Sequence, residues 1–150
     1  MSKLLIVDDD IRLRKLVRTY GEVEHYECDE AADGLAALEK LQNDHFDLVI
    51  LDVMMPGLDG FETLERIRKT SEIPVIMLTA RNEEYDKLTG FGLGVDDYVS
   101  KPFSPKELMA RVGAVLKRNG KKSTVLSYQY KELEIRPDSR TASISGKELI

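Results

Sequence analysis

The chain has 150 residues, 42% hydrophobic and 33% charged, with 22 Lys+Arg against 27 Asp+Glu and a net charge of −5. That is enough for one compact domain with its own core, plus a remainder too short for a second complete one. The lone Cys28 excludes an intrachain disulfide and reads as a small core residue, and no apolar run approaches the roughly 18 residues of a membrane-spanning helix.

Met1-Ser2-Lys3 leads directly into apolar Leu4-Leu5-Ile6-Val7 without a signal-peptide pattern, so a cytoplasmic setting is expected. Apolar runs and amphipathic stretches then alternate, the pattern of a parallel sheet covered by helices. Strands are predicted at about residues 3–7, 26–30, 48–51, 74–77 and 97–99, and helices at about 11–20, 34–43, 60–69, 83–91 and 105–117. The last helix carries a capping signal, Ser104-Pro105 with Glu107 three residues after the serine, and an apolar stripe of Leu108, Val112, Val115 and Leu116. Five βα units make one doubly wound α/β domain.

In such a sheet the C-terminal ends of all strands lie along one edge, where ligand sites form. Leu48-Val-Ile-Leu51 reads as a strand buried on both faces that delivers Asp52 to this edge before breaking at Pro56-Gly57. Asp8, Asp9 and Asp10 follow the first strand, Thr79 ends the fourth, and Ser100-Lys101-Pro102 follow the fifth. Each has an ordinary explanation alone. Asp10 reads as the cap of the first helix, Thr79 as another cap, and an acid at a strand end as a turn former.

Together they suggest chemistry. Asp8, Asp9 and Asp52 would repel one another in a half-desolvated cleft unless a cation joined them, and oxygen-only ligands select Mg²⁺ or a similar hard ion. Lys101 offers a compact positive charge for a phosphoryl oxygen and Thr79 a hydroxyl donor. Asp52 could then attack phosphorus and become an aspartyl phosphate. The plainer alternative is a salt-bridge site that serves only stability, a weak device when buried.

The motifs Leu5-Ile6-Val7-Asp8-Asp9-Asp10, Leu51-Asp52-Val-Met-Met-Pro56-Gly57-Leu-Asp59-Gly60, Leu78-Thr79-Ala80-Arg81 and Asp96-Asp97-Tyr98-Val99-Ser100-Lys101-Pro102-Phe103 resemble the receiver domain of two-component response regulators, over about residues 2–119. The resemblance implies a flavodoxin-like (βα)5 fold and a sensor histidine kinase that phosphorylates Asp52. It implies Mg²⁺ held by Asp9, Asp52 and the backbone carbonyl of Met54, with Asp8 acting largely through water. Thr79 and Tyr98 become a switch pair, with Tyr98 turning inward as Thr79 moves toward the phosphate. The Lys101–Pro102 peptide is expected to be cis, and Met54 and Arg81 stand where receivers tune dephosphorylation. Such a protein is a phosphoacceptor signalling protein that catalyses its own Mg²⁺-dependent phosphorylation and dephosphorylation.

Lys87, Asp96, Asp97, Glu107, Arg111 and Arg118 resemble the face through which OmpR/PhoB-type regulators form homodimers. The resemblance divides the chain into a receiver domain at residues 1–118, a linker at 119–123 and, at 124–150, a partial opening sheet of a winged-helix DNA-binding domain. Strands are read there at 125–128, 130–135 and 141–144, without a recognition helix. The chain thus reads as a C-terminally truncated regulator whose last segment is expected to be disordered or to pair with another chain. Residues 1–119 hold 16 Lys+Arg against 23 Asp+Glu, and residues 120–150 hold 6 against 4, so DNA contact is expected only from the C-terminal part of a full-length parent. A receiver acting only through protein contacts is the main alternative. A flavodoxin would need a phosphate-cradling loop where Asp8-Asp9-Asp10 stand, and an aspartyl-phosphate phosphatase would want an acid at Met54.

Overall fold

The computed structural model describes residues 1–80 and 94–128, with side chains as far as residue 119. The predicted helix at 83–91, with Arg81 and Lys87, lies outside the described residues, as do the predicted strands at 130–135 and 141–144. The elements are β1 (Lys3–Val7), α1 (Ile11–Val23), β2 (Glu27–Ala31), α2 (Gly34–Asn43), β3 (Leu48–Asp52), α3 (Gly60–Arg68), β4 (Val75–Thr79), β5 (Asp97–Ser100) and α4 (Pro105–Tyr128). The strands form one parallel sheet in the order β2-β1-β3-β4-β5. β3 is therefore central, and every one of its residues is buried.

Strand periodicity sorts the core into two layers. Leu5, Val7, Val49, Leu51, Val75 and Met77 share one cluster with Ala37 of α2 and Leu64 of α3. The alternate residues Leu4, Ile6, Leu48, Ile50, Ile76 and Leu78 share the other with Val17 of α1 and Leu108 and Val112 of α4. Each fully buried Leu, Ile or Val contributes about 1.5–3 kcal/mol, so both strand faces are committed and the register cannot slip without exposing one of them.

Helix starts follow side-chain caps. Asp10 accepts from the N–H groups of Arg12 and Leu13, Asp33 from Ala36, and Asp59 and Glu62 form a reciprocal capping box at α3. The Ser104 hydroxyl accepts from the Glu107 N–H at 3.3 Å. α1 runs three residues past its predicted end, through Gly21, which packs so closely against β2 that a Cβ there would stand 2.8 Å from Cys28 Sγ.

α4 departs further from expectation. It runs to Tyr128, through the predicted linker at 119–123 and the predicted strand at 125–128. The segment has no proline, and one glycine, Gly120, costs a helix only about 1 kcal/mol, so the hydrogen-bond ladder continues. The chain nevertheless divides into two units, Met1–Leu116 and Lys117–Ile150. The acidic cluster Asp8, Asp9 and Asp52, with Thr79, Tyr98 and Lys101, lies in the first. Among the described residues no helix is long and apolar enough to cross a membrane.

Candidate functional site

The strand ends deliver the predicted residues to one edge. Asp8 follows β1, Asp52 and Thr79 are the last residues of β3 and β4, and Lys101 follows β5. Asp8, Asp52 and Thr79 are buried to 1%, 3% and 1% exposure, whereas Asp9 is exposed. Carboxylate oxygens of Asp8, Asp9 and Asp52 all lie within 4.8 Å of one another. Lys101 Nζ stands 3.1 Å from Asp52 Oδ1 and 3.4 Å from Asp8 Oδ2.

Backbone contacts hold this arrangement. The Asp8 N–H donates to the Ala31 carbonyl at 3.2 Å, the Val53 N–H to Leu78 at 3.0 Å, and the Lys101 N–H to Thr79 at 2.6 Å, so each strand end is tied to its neighbour. Asp8 Oδ1 accepts from the Asp10 N–H at 3.0 Å, and Asp52 Oδ1 from the Met54 N–H at 3.4 Å. Gly60, the first residue of α3, approaches β3 so closely that a Cβ would stand 2.3 Å from the Asp52 carbonyl oxygen. The Lys101–Pro102 peptide is cis, as expected.

The electrostatics are those of a crowded acidic site. Burial, then the charge of Asp8, pushes the Asp52 carboxyl up to about 6, with Lys101 opposing. Burial also raises Asp8 above the ordinary carboxylate range, against the Asp10 N–H and Lys101. Burial works against the Lys101 ammonium, but Asp52 and Asp8 outweigh it and raise its pKa. Three carboxylates against one ammonium leave excess negative charge, and their oxygen-only donor set suits a hard divalent cation. Thr79 Oγ1 is buried and has no hydrogen-bond partner among the described residues. A buried hydroxyl left unpaired costs about 1–3 kcal/mol, so this atom awaits an acceptor.

Asp10, read as a cap, is one. Tyr98 is already turned inward, 7% exposed, in the apolar cluster with Val53, Val75, Met77 and Val95. Of the proposed dimer face, Asp96, Asp97, Glu107 and Arg111 are engaged within one protomer. Arg111 reaches Asp97 at 3.0 Å and Glu107 at 3.2 Å, while Asp96 accepts from the Val75 N–H at 2.9 Å and stands 3.7 Å from Arg68. Arg118 lies exposed on α4. Sequence reading missed Arg14 and Glu30. The strand-end rule applied to β2 finds Glu30 at the same edge, and Arg14, on the first turn of α1, links it to Asp8.

The fold and site agree with known proteins. The profile of the response regulator receiver domain matches residues 4–113. The chain is 52% identical over 127 residues to the transcriptional regulatory protein CpxR homolog of Haemophilus influenzae, covering 85% of this chain and 56% of that protein. It is 41% identical over 155 aligned positions to the transcriptional regulatory protein ResD of Bacillus subtilis, covering 99% of this chain and 65% of that one. The chain therefore spans less than two thirds of the length of these curated relatives. Among solved structures, the Francisella response regulator 1452 receiver domain superposes with a TM-score of 0.75 at 37% identity, covering 79% of this chain and 99% of that one. With the profile matching most of its length and relatives this similar, the chain belongs to the response regulator receiver domain family.

Proposed function

We propose that Asp52 accepts a phosphoryl group from a sensor histidine kinase. A carboxylate oxygen of Asp52 forms the O–P bond as the P–N bond of a phosphoimidazole breaks, and the imidazole leaves with the electron pair and takes up a proton. Asp8, Asp9, Asp52 and the Met54 carbonyl would hold Mg²⁺, which when bound neutralises the charge of carboxylates and phosphoryl oxygens. Lys101 holds one phosphoryl oxygen and Thr79 donates to another. The observation that carries this reading is the Lys101 ammonium 3.1 Å from Asp52 Oδ1 inside a carboxylate cluster. The chain promotes its own phosphorylation and dephosphorylation by holding these groups in place.

Thr79 and Tyr98 form the switch. A phosphoryl acceptor for the partnerless Thr79 hydroxyl favours the packing in which Tyr98 stays inward, a population shift between two arrangements. The output is a homodimer through Lys87, Asp96, Asp97, Glu107, Arg111 and Arg118. Because Arg111 is held by Asp97 and Glu107 of its own protomer, dimerisation must exchange those pairs for intersubunit ones. In a full-length parent, working in the cytoplasm, the consequence is DNA binding and control of transcription, the control of transcription being supported by relatives named as transcriptional regulatory proteins.

The test is incubation with acetyl phosphate and Mg²⁺ followed by intact mass measurement. A phosphoryl increment is expected in the wild type and not in Asp52→Asn, and an increment that survives the substitution assigns the acceptor elsewhere.

A further inference from the structure

A side chain of α1 also reaches the site. Arg14 Nη1 donates to the backbone carbonyl of Asp8 at 2.7 Å, and Arg14 Nε donates to Glu30 Oε1 at 3.0 Å. Glu30 Oε2 accepts in turn from Arg18 Nη1 at 2.9 Å, and Arg18 Nε pairs with Glu22 at 3.1 Å. The Arg14 and Glu30 side chains are only 12% and 14% exposed, so this pair is largely shielded from water, while Arg18 and Glu22 lie toward solvent. Shielded, charge-assisted contacts of this kind hold geometry better than exposed ones.

What Arg14 grips matters. The Asp8 carbonyl belongs to the peptide that joins Asp8 to Asp9, and the Asp8 N–H is already fixed by Ala31 on β2. Pinning the carbonyl as well sets the plane of the Asp8–Asp9 peptide and with it the direction in which Asp9 leaves the strand. Asp9 needs that help. Its carboxylate is exposed and has no hydrogen bond or ion pair of its own among the described residues, yet it stands within 4.8 Å of the other two acids. Its place in the cluster is therefore set by its backbone.

We infer that Arg14, oriented by Glu30, is a positioning residue for divalent-cation binding: it acts through the Asp8–Asp9 peptide to present Asp9 to the site. The inference rests on the cation reading given above. It also makes an unusual prediction about sign. Arg14 is a cation beside a cation site, so its charge alone opposes metal binding, and neutralising it should tighten binding by Coulomb's law. If Arg14 positions Asp9, neutralising it weakens binding instead, as loss of outer contacts to metal ligands does, by about tenfold or more.

The experiment is titration of the metal-free full chain with Mn²⁺, following free Mn²⁺ by electron paramagnetic resonance. It is run at a temperature where circular dichroism shows each variant folded. Wild type, Asp9→Asn, Arg14→Met, Arg14→Lys and Glu30→Gln are compared. Arg14→Met is expected to raise Kd about tenfold. Arg14→Lys keeps the charge but cannot grip Asp8 and Glu30 together in one fork, so it should fall between wild type and Arg14→Met. Glu30→Gln, which keeps an acceptor for Arg14, should weaken binding less than Arg14→Met. An Arg14→Met protein that binds Mn²⁺ as well as or better than wild type overturns the inference, even if it melts earlier, because Arg14 would then serve stability alone. Should Arg14→Met fail to fold, Arg14→Lys decides: an unchanged Kd overturns the inference and a raised one supports it. Wild-type binding that is absent, or unaffected by Asp9→Asn, overturns the cation reading itself and the inference with it.

Discussion

The ammonium of Lys101 stands 3.1 Å from Asp52 Oδ1 although β4 separates the strands that deliver the two residues. The contact spans the ends of β3 and β5, above Thr79 at the end of β4. It is also shared, since the same ammonium reaches Asp8 at 3.4 Å. One cation thus serves two buried carboxylates, and neither is fully compensated.

That imbalance predicts that Asp52→Asn stabilises the metal-free protein. Burial and Asp8 raise Asp52 from 3.8 to about 6, so at neutral pH the fold carries a charge it disfavours. Between those two values the native state holds a proton that the unfolded chain has released, so this group's contribution to stability falls as pH rises through that window. The gain from Asp52→Asn should be about 2 kcal/mol at about pH 7.5 and should shrink toward about pH 4.5. Urea unfolding of both proteins in excess chelator at the two pH values measures it, and a gain that grows toward acid contradicts the assignment.

Thr79→Val tests the partnerless hydroxyl. Valine replaces a buried, unsatisfied Oγ1 with a methyl of similar shape, so the unphosphorylated protein should gain about 1 kcal/mol. Phosphorylation on Asp52 should then alter dimerisation less than in wild type. Thermal unfolding and sedimentation with and without acetyl phosphate give the two readouts.

Gly60→Ala should be severe. The new Cβ would stand 2.3 Å from the Asp52 carbonyl oxygen and 2.7 Å from Val53 Cα, both backbone atoms that cannot swing aside. A loss of about 2 kcal/mol or more is expected, and with α3 displaced, slower labelling of Asp52 by acetyl phosphate. A variant that melts and labels like wild type would show that the loop yields.

Cys28 should be nearly inert in the folded chain. It is 6% exposed, and burial pushes its thiol up to about 11. Reaction with a thiol reagent at about pH 8 should be at least about 100-fold slower in the native protein than in urea. Comparable rates would place Cys28 nearer the surface.

Asp8, Asp9, Asp52, Thr79 and Lys101 were legible in the sequence because apolar runs mark the strands and parallel topology sends every strand end to one edge. Arg14 and Glu30 were harder to read. A charged residue on α1 is usually a solvated surface group, and only the packing of α1 beside β1 and β2 turns Arg14 toward the Asp8 carbonyl. The inward packing of Tyr98 and the pairing of Arg111 with Asp97 in its own protomer were likewise beyond reach, because side-chain direction depends on neighbours distant in sequence. The length of α4 was misread for a different reason: glycine and lysines resemble a linker, but helix persistence depends on the absence of any stronger stop.

By itself the sequence determined the strands, their likeness of direction and the chemistry brought to one edge, since these follow from local apolar runs, caps and the geometry of right-handed βα crossovers. Only the tertiary structure decided which groups touch. Hydrogen bonds and desolvation act over a few ångströms, and distances such as Lys101 to Asp52 or Arg14 to Asp8 exist only once the layers have packed.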